Sequence, residues 1–175
     1  MSVKQLLFVS TWFQVLWFVA VIGRESWQWL ALIVVTLTWV ASYFLSRFNL
    51  ARCALIVILG VAVDSLNMTM GWFNFPSPSI PLWLLALWGI FSWYAFYLHP
   101  IVSRFPLSAV SMIGGGAGAL SYLAGAKLGA VSFGMPTLPM IAILFVEWVV
   151  VVYMIMRVLG YESRTRNGGI SGVNQ

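Results

Sequence analysis

Charge is what this chain has least of. Lys, Arg, Asp and Glu together make up 7% of the residues, against roughly 25% in a soluble domain. A water-facing surface cannot be built from so few, so the bilayer is the solvent this sequence is written for. Cysteine is nearly absent too. With Cys53 alone, an intrachain disulfide and a cysteine-bound metal are both excluded. His99 is the single histidine, so no zinc or haem site is expected, and no cofactor. No HExxH, no phosphate-binding glycine loop and no Ser-His-Asp pattern is present. The net charge of +5 raises the question of nucleic acid. The basic residues, however, sit scattered at the ends of apolar runs and form no stripe. That argues against nucleic acid and for anchoring to anionic lipid headgroups.

What the chain does have is apolar length: 62% of it is hydrophobic. A spanning helix needs about 20 apolar residues, and six such runs can be drawn. The first runs from Val3 to Ile22 and stops at the polar turn Gly23–Ser26. It begins like a secretory signal, but the stretch from Leu6 to Gly23 is too long for one and ends in no cleavage site, so a retained helix is expected. The second runs from Trp27 to Leu45 and the third from Ala51 to Met68. The loop from Gly71 to Pro81 carries Pro76, Pro78 and Pro81, which end any helix. Its Trp72, Phe73 and Phe75 are expected at headgroup level. The fourth span runs from Leu82 to Leu98, with a turn from His99 to Pro106. The fifth runs from Leu107 to Ala126 and the sixth from Thr137 to Leu159. The expectation is an all-α polytopic membrane protein: a six-helix transmembrane bundle over 1–159 and a flexible cytoplasmic tail over 160–175.

Six spans put Lys4, Arg47, Arg52, Arg104, Arg157, Arg164 and Arg166 on one side and only Arg24 and Lys127 on the other. That asymmetry places both termini in the cytoplasm.

Against this background two carboxylates stand out. Asp64 lies twelve residues beyond Arg52, or about 18 Å along a helix, in the outer half of the membrane. Asn67 is three residues on and shares its face. Glu147 lies ten residues into the last span, about 15 Å deep and near the midplane. Nothing on its own helix can pair with it, so it needs a partner elsewhere. Acids within a bilayer are expensive and commonly functional, though a capping role for Asp64 and an interhelical hydrogen bond for Glu147 weigh about equally. Gln14, at similar depth in the first span, is a candidate partner for Glu147, with interhelical glue as its commoner role. Lys127 can reach toward Asp64, with snorkelling to the interface as the simpler alternative. His99, followed by proline, reads as a helix-end feature.

Gly114 and Gly118 form a small-xxx-small pair in the fifth span, suited to close helix packing or to a local break. Trp27, Trp29, Trp72 and Trp83 fit an outer aromatic belt. Trp12 and Trp17 in the first span share their spacing with Trp88 and Trp93 in the fourth, which hints at two inverted three-helix halves.

The run Trp12-Phe13-Gln14, the third helix ending in Asp64, and the size and span count resemble an uncharacterised family of small bacterial inner-membrane proteins, defined as a domain of unknown function. Genes of that family often neighbour lipid-modification genes, so the resemblance implies a link to lipid metabolism. Three functions stay open: handling of membrane lipids as an accessory to their modification, proton-coupled transport through Asp64 and Glu147, or intramembrane acid–base catalysis. A homo-oligomer or a partner membrane protein is compatible with each.

Overall fold

The computed structural model describes residues 2–46, 48–76 and 79–161. Arg47 and residues 162–175, most of the expected tail, lie outside them. Five helices follow in chain order: α1 (Val3–Leu45), α2 (Leu50–Thr69), α3 (Leu82–Val102), α4 (Leu107–Lys127) and α5 (Thr137–Leu159). All five are long and apolar enough to cross a membrane, so the chain is an all-helical polytopic membrane protein.

The expected count of six separate helices is corrected here. The first two expected spans are joined in α1, 43 residues long, in which Arg24 alone leaves helical geometry (φ 45°, ψ −132°). The arms on either side fold back on each other. Trp12 Nε1 donates to Thr38 Oγ1 at 3.1 Å, although the two are 26 residues apart. Along a straight helix that separation would be about 39 Å. A positive φ at a non-glycine residue costs on the order of 1–3 kcal/mol and needs support. Arg24 Nη1 supplies some by donating to the Gly129 carbonyl at 2.7 Å.

Helix ends follow their local chemistry. Ser2 and Gln5 form a capping box at the start of α1. Asn49 caps α2 by accepting from the Arg52 amide at 3.0 Å. Gly160, at φ 93°, closes α5 in the left-handed region. The turn expected to start at His99 starts later, because α3 runs on to Val102 with Pro100 in its last turn. Pro100 removes one backbone bond where the helix is already ending.

Helix α3 lies at the centre. Trp83, Leu84 and Trp88 belong to an apolar core shared with α2, α4 and α5. Ala86, Ile90 and Trp93 belong to a second core shared with both arms of α1. Helices α4 and α5 pack closely through small residues: a Cβ at Gly114, Gly115 or Gly118 would collide with Val152, Val149 or Trp148 respectively. The glycine-rich helix is therefore a packing surface, and it runs unbroken.

At the end of the bundle that holds Arg24, the two long loops meet. Strands β1 (Phe73–Asn74) and β2 (Ser132–Phe133) pair antiparallel, with Phe73 opposite Phe133. Phe73, expected at headgroup level, turns into the protein there: it is buried and stacks on Tyr122 with ring centroids 5.0 Å apart. Trp83, expected in the belt, is buried as well, its Nε1 donating to Glu25 Oε1 at 3.4 Å. Trp27 and Trp29 are exposed, as a belt requires.

Candidate functional site

Helices α2, α3, α4 and α5 converge on Asp64, which is 1% exposed. Trp88 Nε1 of α3 donates to Asp64 Oδ2 at 2.6 Å, and the Tyr122 hydroxyl of α4 donates to Oδ1 at 2.5 Å. One turn further along α2, Asn67 is fully buried, and its Nδ2 donates to Glu147 Oε1 of α5 at 2.9 Å. The contacts of Asp64 with Trp88 and Tyr122, and of Asn67 with Glu147, thus bring residues from four helices into one polar cluster. No ion pair is formed among the described residues, so the two acids have no cation beside them. Asn67 Oδ1 is buried without a hydrogen-bond partner.

The depths estimated from sequence differed for Asn67 and Glu147, yet the two side chains meet. Side chains lean toward the N-terminus of their own helix. Helix α2 runs toward the Arg24 end, so Asn67 leans back into the bundle. Helix α5 runs away from that end, so Glu147 leans outward and meets it.

Indoles wall the cluster. Trp88 and Trp148 stack with ring centroids 5.4 Å apart and planes 5° from parallel. Each lies where a neighbouring helix lacks a side chain. A Cβ at Gly60 would come within 2.1 Å of the Trp88 ring, and one at Gly118 within 2.1 Å of the Trp148 ring. The cavity touching Tyr122 and Ser121 holds about 30 Å³. That is room for a water molecule and not for a lipid or a substrate.

Two of the five expected site residues do not join. Gln14 is exposed, because it lies on the same stripe as Thr11 and Phe18 and opposite buried Leu16 and Ala20. Lys127 is exposed in the last turn of α4. The position it was expected to fill, against Asp64, is taken by Tyr122. Gln14→Leu should therefore change stability by less than about 0.5 kcal/mol, as at other surface positions. Asn67→Leu should cost at least about 1 kcal/mol, since Glu147 loses its donor. Unfolding in mixed micelles measures both.

A second feature lies at the opposite end of the bundle. A cleft of about 1100 Å³ opens between the two arms of α1 and the C-terminal half of α3. Its walls include Phe8, Trp12, Leu37, Ala41, Trp93 and Phe96. Their polar atoms are largely satisfied within the protein: Trp12 Nε1 by Thr38, and Trp93 Nε1 by Ser42 Oγ at 2.7 Å. Lys4, Arg52 and His99 lie at its end, beside Ser46 and Tyr97, whose hydroxyls share a hydrogen bond of 2.6 Å. Sequence reasoning placed these basic residues on one side of the membrane but not around one space.

A polytopic helical membrane protein with a buried acid cluster and a lateral apolar cleft is the class that this fold defines. The chain belongs to a family of proteins of unknown function, DUF2878, whose family model matches residues 6–154. No curated protein and no solved structure matches it.

Proposed function

We propose that this is a bacterial inner-membrane protein that binds and handles a membrane lipid or similar amphiphile, as an accessory to lipid modification. The cleft is the observation that carries the reading. Its volume of about 1100 Å³ slightly exceeds the roughly 300–1,000 Å³ of small-molecule sites. Its wall residues Phe8 and Leu37 are exposed at 65% and 61%, so an acyl chain can enter sideways from the bilayer.

The architecture in this reading is six crossings, with the arms of α1 counted separately. Lys4 and Ser46, near the two ends of α1, line the same cleft, which favours a full hairpin. Two inverted halves are supported by a reciprocal pair of bonds. Trp17 Nε1 of the first arm donates to Ser121 Oγ of α4, and Trp93 Nε1 of α3 donates to Ser42 Oγ of the second arm. Lys4, Arg52, Arg104 and Arg157 share the cleft's end, against Arg24 and Lys127 at the other, which favours cytoplasmic termini.

Purification in mild detergent followed by quantitative lipid extraction tests the reading. About one tightly held lipid per chain is expected to survive washing. Ala41→Trp, which fills the cleft, is expected to remove it. Equal retention by both proteins overturns the proposal.

A second reading, proton-coupled transport, draws on buried Asp64 and half-buried Glu147, neither of which has an ion-pair partner among the described residues. It expects dye-detected proton movement in vesicles that Asp64→Asn and Glu147→Gln abolish.

A further inference from the structure

An amphiphile has two ends, and the cleft treats them differently. Its apolar walls suit hydrocarbon. Its polar end gathers Lys4 from the first arm of α1, Arg52 from α2 and His99 from α3. No carboxylate lines it among the described residues. Resting on the amphiphile reading above, we propose that Lys4, Arg52 and His99 form a headgroup site for an anionic phospholipid of the bilayer.

Each of the three residues has donors to spare. Arg52 uses Nη1 to hold the Leu159 carbonyl at 2.7 Å, which closes the C-terminal end of α5. A guanidinium carries five N–H donors, so most of its capacity remains. Arg52 is thus fixed in place by one contact and free to make a phosphate contact with the rest, the bidentate geometry that arginine favours. His99 Nε2 is buried and has no hydrogen-bond partner. That atom has no surface open to the cleft, so a headgroup oxygen bonds to it only when the ring turns outward. Lys4 is exposed and forms no ion pair among the described residues; its ammonium adds a mobile point charge at the rim. The hydroxyls of Ser46 and Tyr97 lie in the same lining; Ser46 donates to the Ser42 carbonyl and Tyr97 to Ser46, so their remaining lone pairs can accept from a headgroup hydroxyl.

The three donors come from three separate segments of the chain, and they meet at the end where Trp12 and Trp93 begin the apolar wall. That order matches a phospholipid's own: phosphate, then glycerol, then acyl chain. A zwitterionic headgroup would bring its cation against Lys4 and Arg52. A net anionic one would not, and this difference is the source of selectivity.

Native mass spectrometry of the full-length protein, titrated with phosphatidylglycerol and phosphatidylcholine of identical acyl chains, tests the assignment. Phosphatidylglycerol is expected to bind about tenfold more tightly. The double variant Lys4→Gln/His99→Gln, which leaves the Arg52–Leu159 bond intact, is expected to cut the preference to about twofold or less. Arg52→Gln should do the same, with circular dichroism checking that the bundle still forms. If both lipids bind equally and Ala41→Trp expels both, the headgroup assignment is wrong while the amphiphile reading survives. If Ala41→Trp expels neither, both fail. If oleate or inorganic phosphate displaces phosphatidylglycerol at equal concentration, the occupant is not a phospholipid and the assignment is overturned.

Discussion

Gly60→Ala is expected to lower stability by about 3 kcal/mol, or to stop the bundle forming, although it adds one methyl group. In most helices this change helps, because alanine is the better helix former by about 1 kcal/mol. Here the added carbon would come within 2.1 Å of the ring system of Trp88. The indole cannot move aside. Its Nε1 is held by Asp64 and its face by Trp148. Gly118→Ala should behave alike, since Trp148 occupies the matching space above it. Gly116→Ala is the control: nothing lies within 4 Å of its Cβ position, so no loss is expected. Unfolding of each variant by SDS in mixed micelles gives the comparison. The double variant Gly60→Ala/Trp88→Phe should recover at least about 1 kcal/mol of the loss, a coupling that separates a local clash from a general helix defect.

The second large effect belongs to Asp64. Removing the carboxyl in Asp64→Ala leaves Trp88 Nε1 and the Tyr122 hydroxyl without acceptors in a buried site. Each orphaned donor costs about 1–3 kcal/mol, though hydrogen bonds in membrane proteins tend to the low side. A loss of about 2–4 kcal/mol is therefore expected, measured in the same way. Asp64→Asn keeps one carbonyl oxygen for one donor and should lose about half as much. Equal losses for the two variants would mean that packing, rather than hydrogen bonding, is what the carboxyl provides.

The spans were legible in the sequence because length and apolarity alone define a crossing. The faces were not. A helix in a bilayer is apolar toward lipid and toward its neighbours, so periodicity carries little information about which side is buried. Asp64, Asn67 and Glu147 were found because a polar group at depth signals itself, and all three do meet at the cluster. Gln14 gave the same signal, yet it faces outward. Depth can be counted in residues, whereas direction depends on packing that a lone sequence does not print. That Tyr122 and Trp88 are the two donors to Asp64 was invisible for the complementary reason: in a chain with 10 Trp and 6 Tyr, nothing marks which aromatic meets the acid. The cleft was hidden too, since the residues that wall it are of the same kind as those that face lipid. The reversal between the arms of α1 falls within the turn expected at Gly23–Ser26, yet it is made at Arg24 alone, and nothing in that residue's identity announces a positive φ.

The stack of Trp88 on Trp148 has a consequence for how this protein can be watched. Two indoles 5.4 Å apart and nearly parallel couple their electronic transitions, so they absorb and emit as a pair. One of the pair is bonded to Asp64. Near-ultraviolet circular dichroism, read against Trp88→Phe to separate the pair from the other tryptophans, is therefore expected to change in Asp64→Asn.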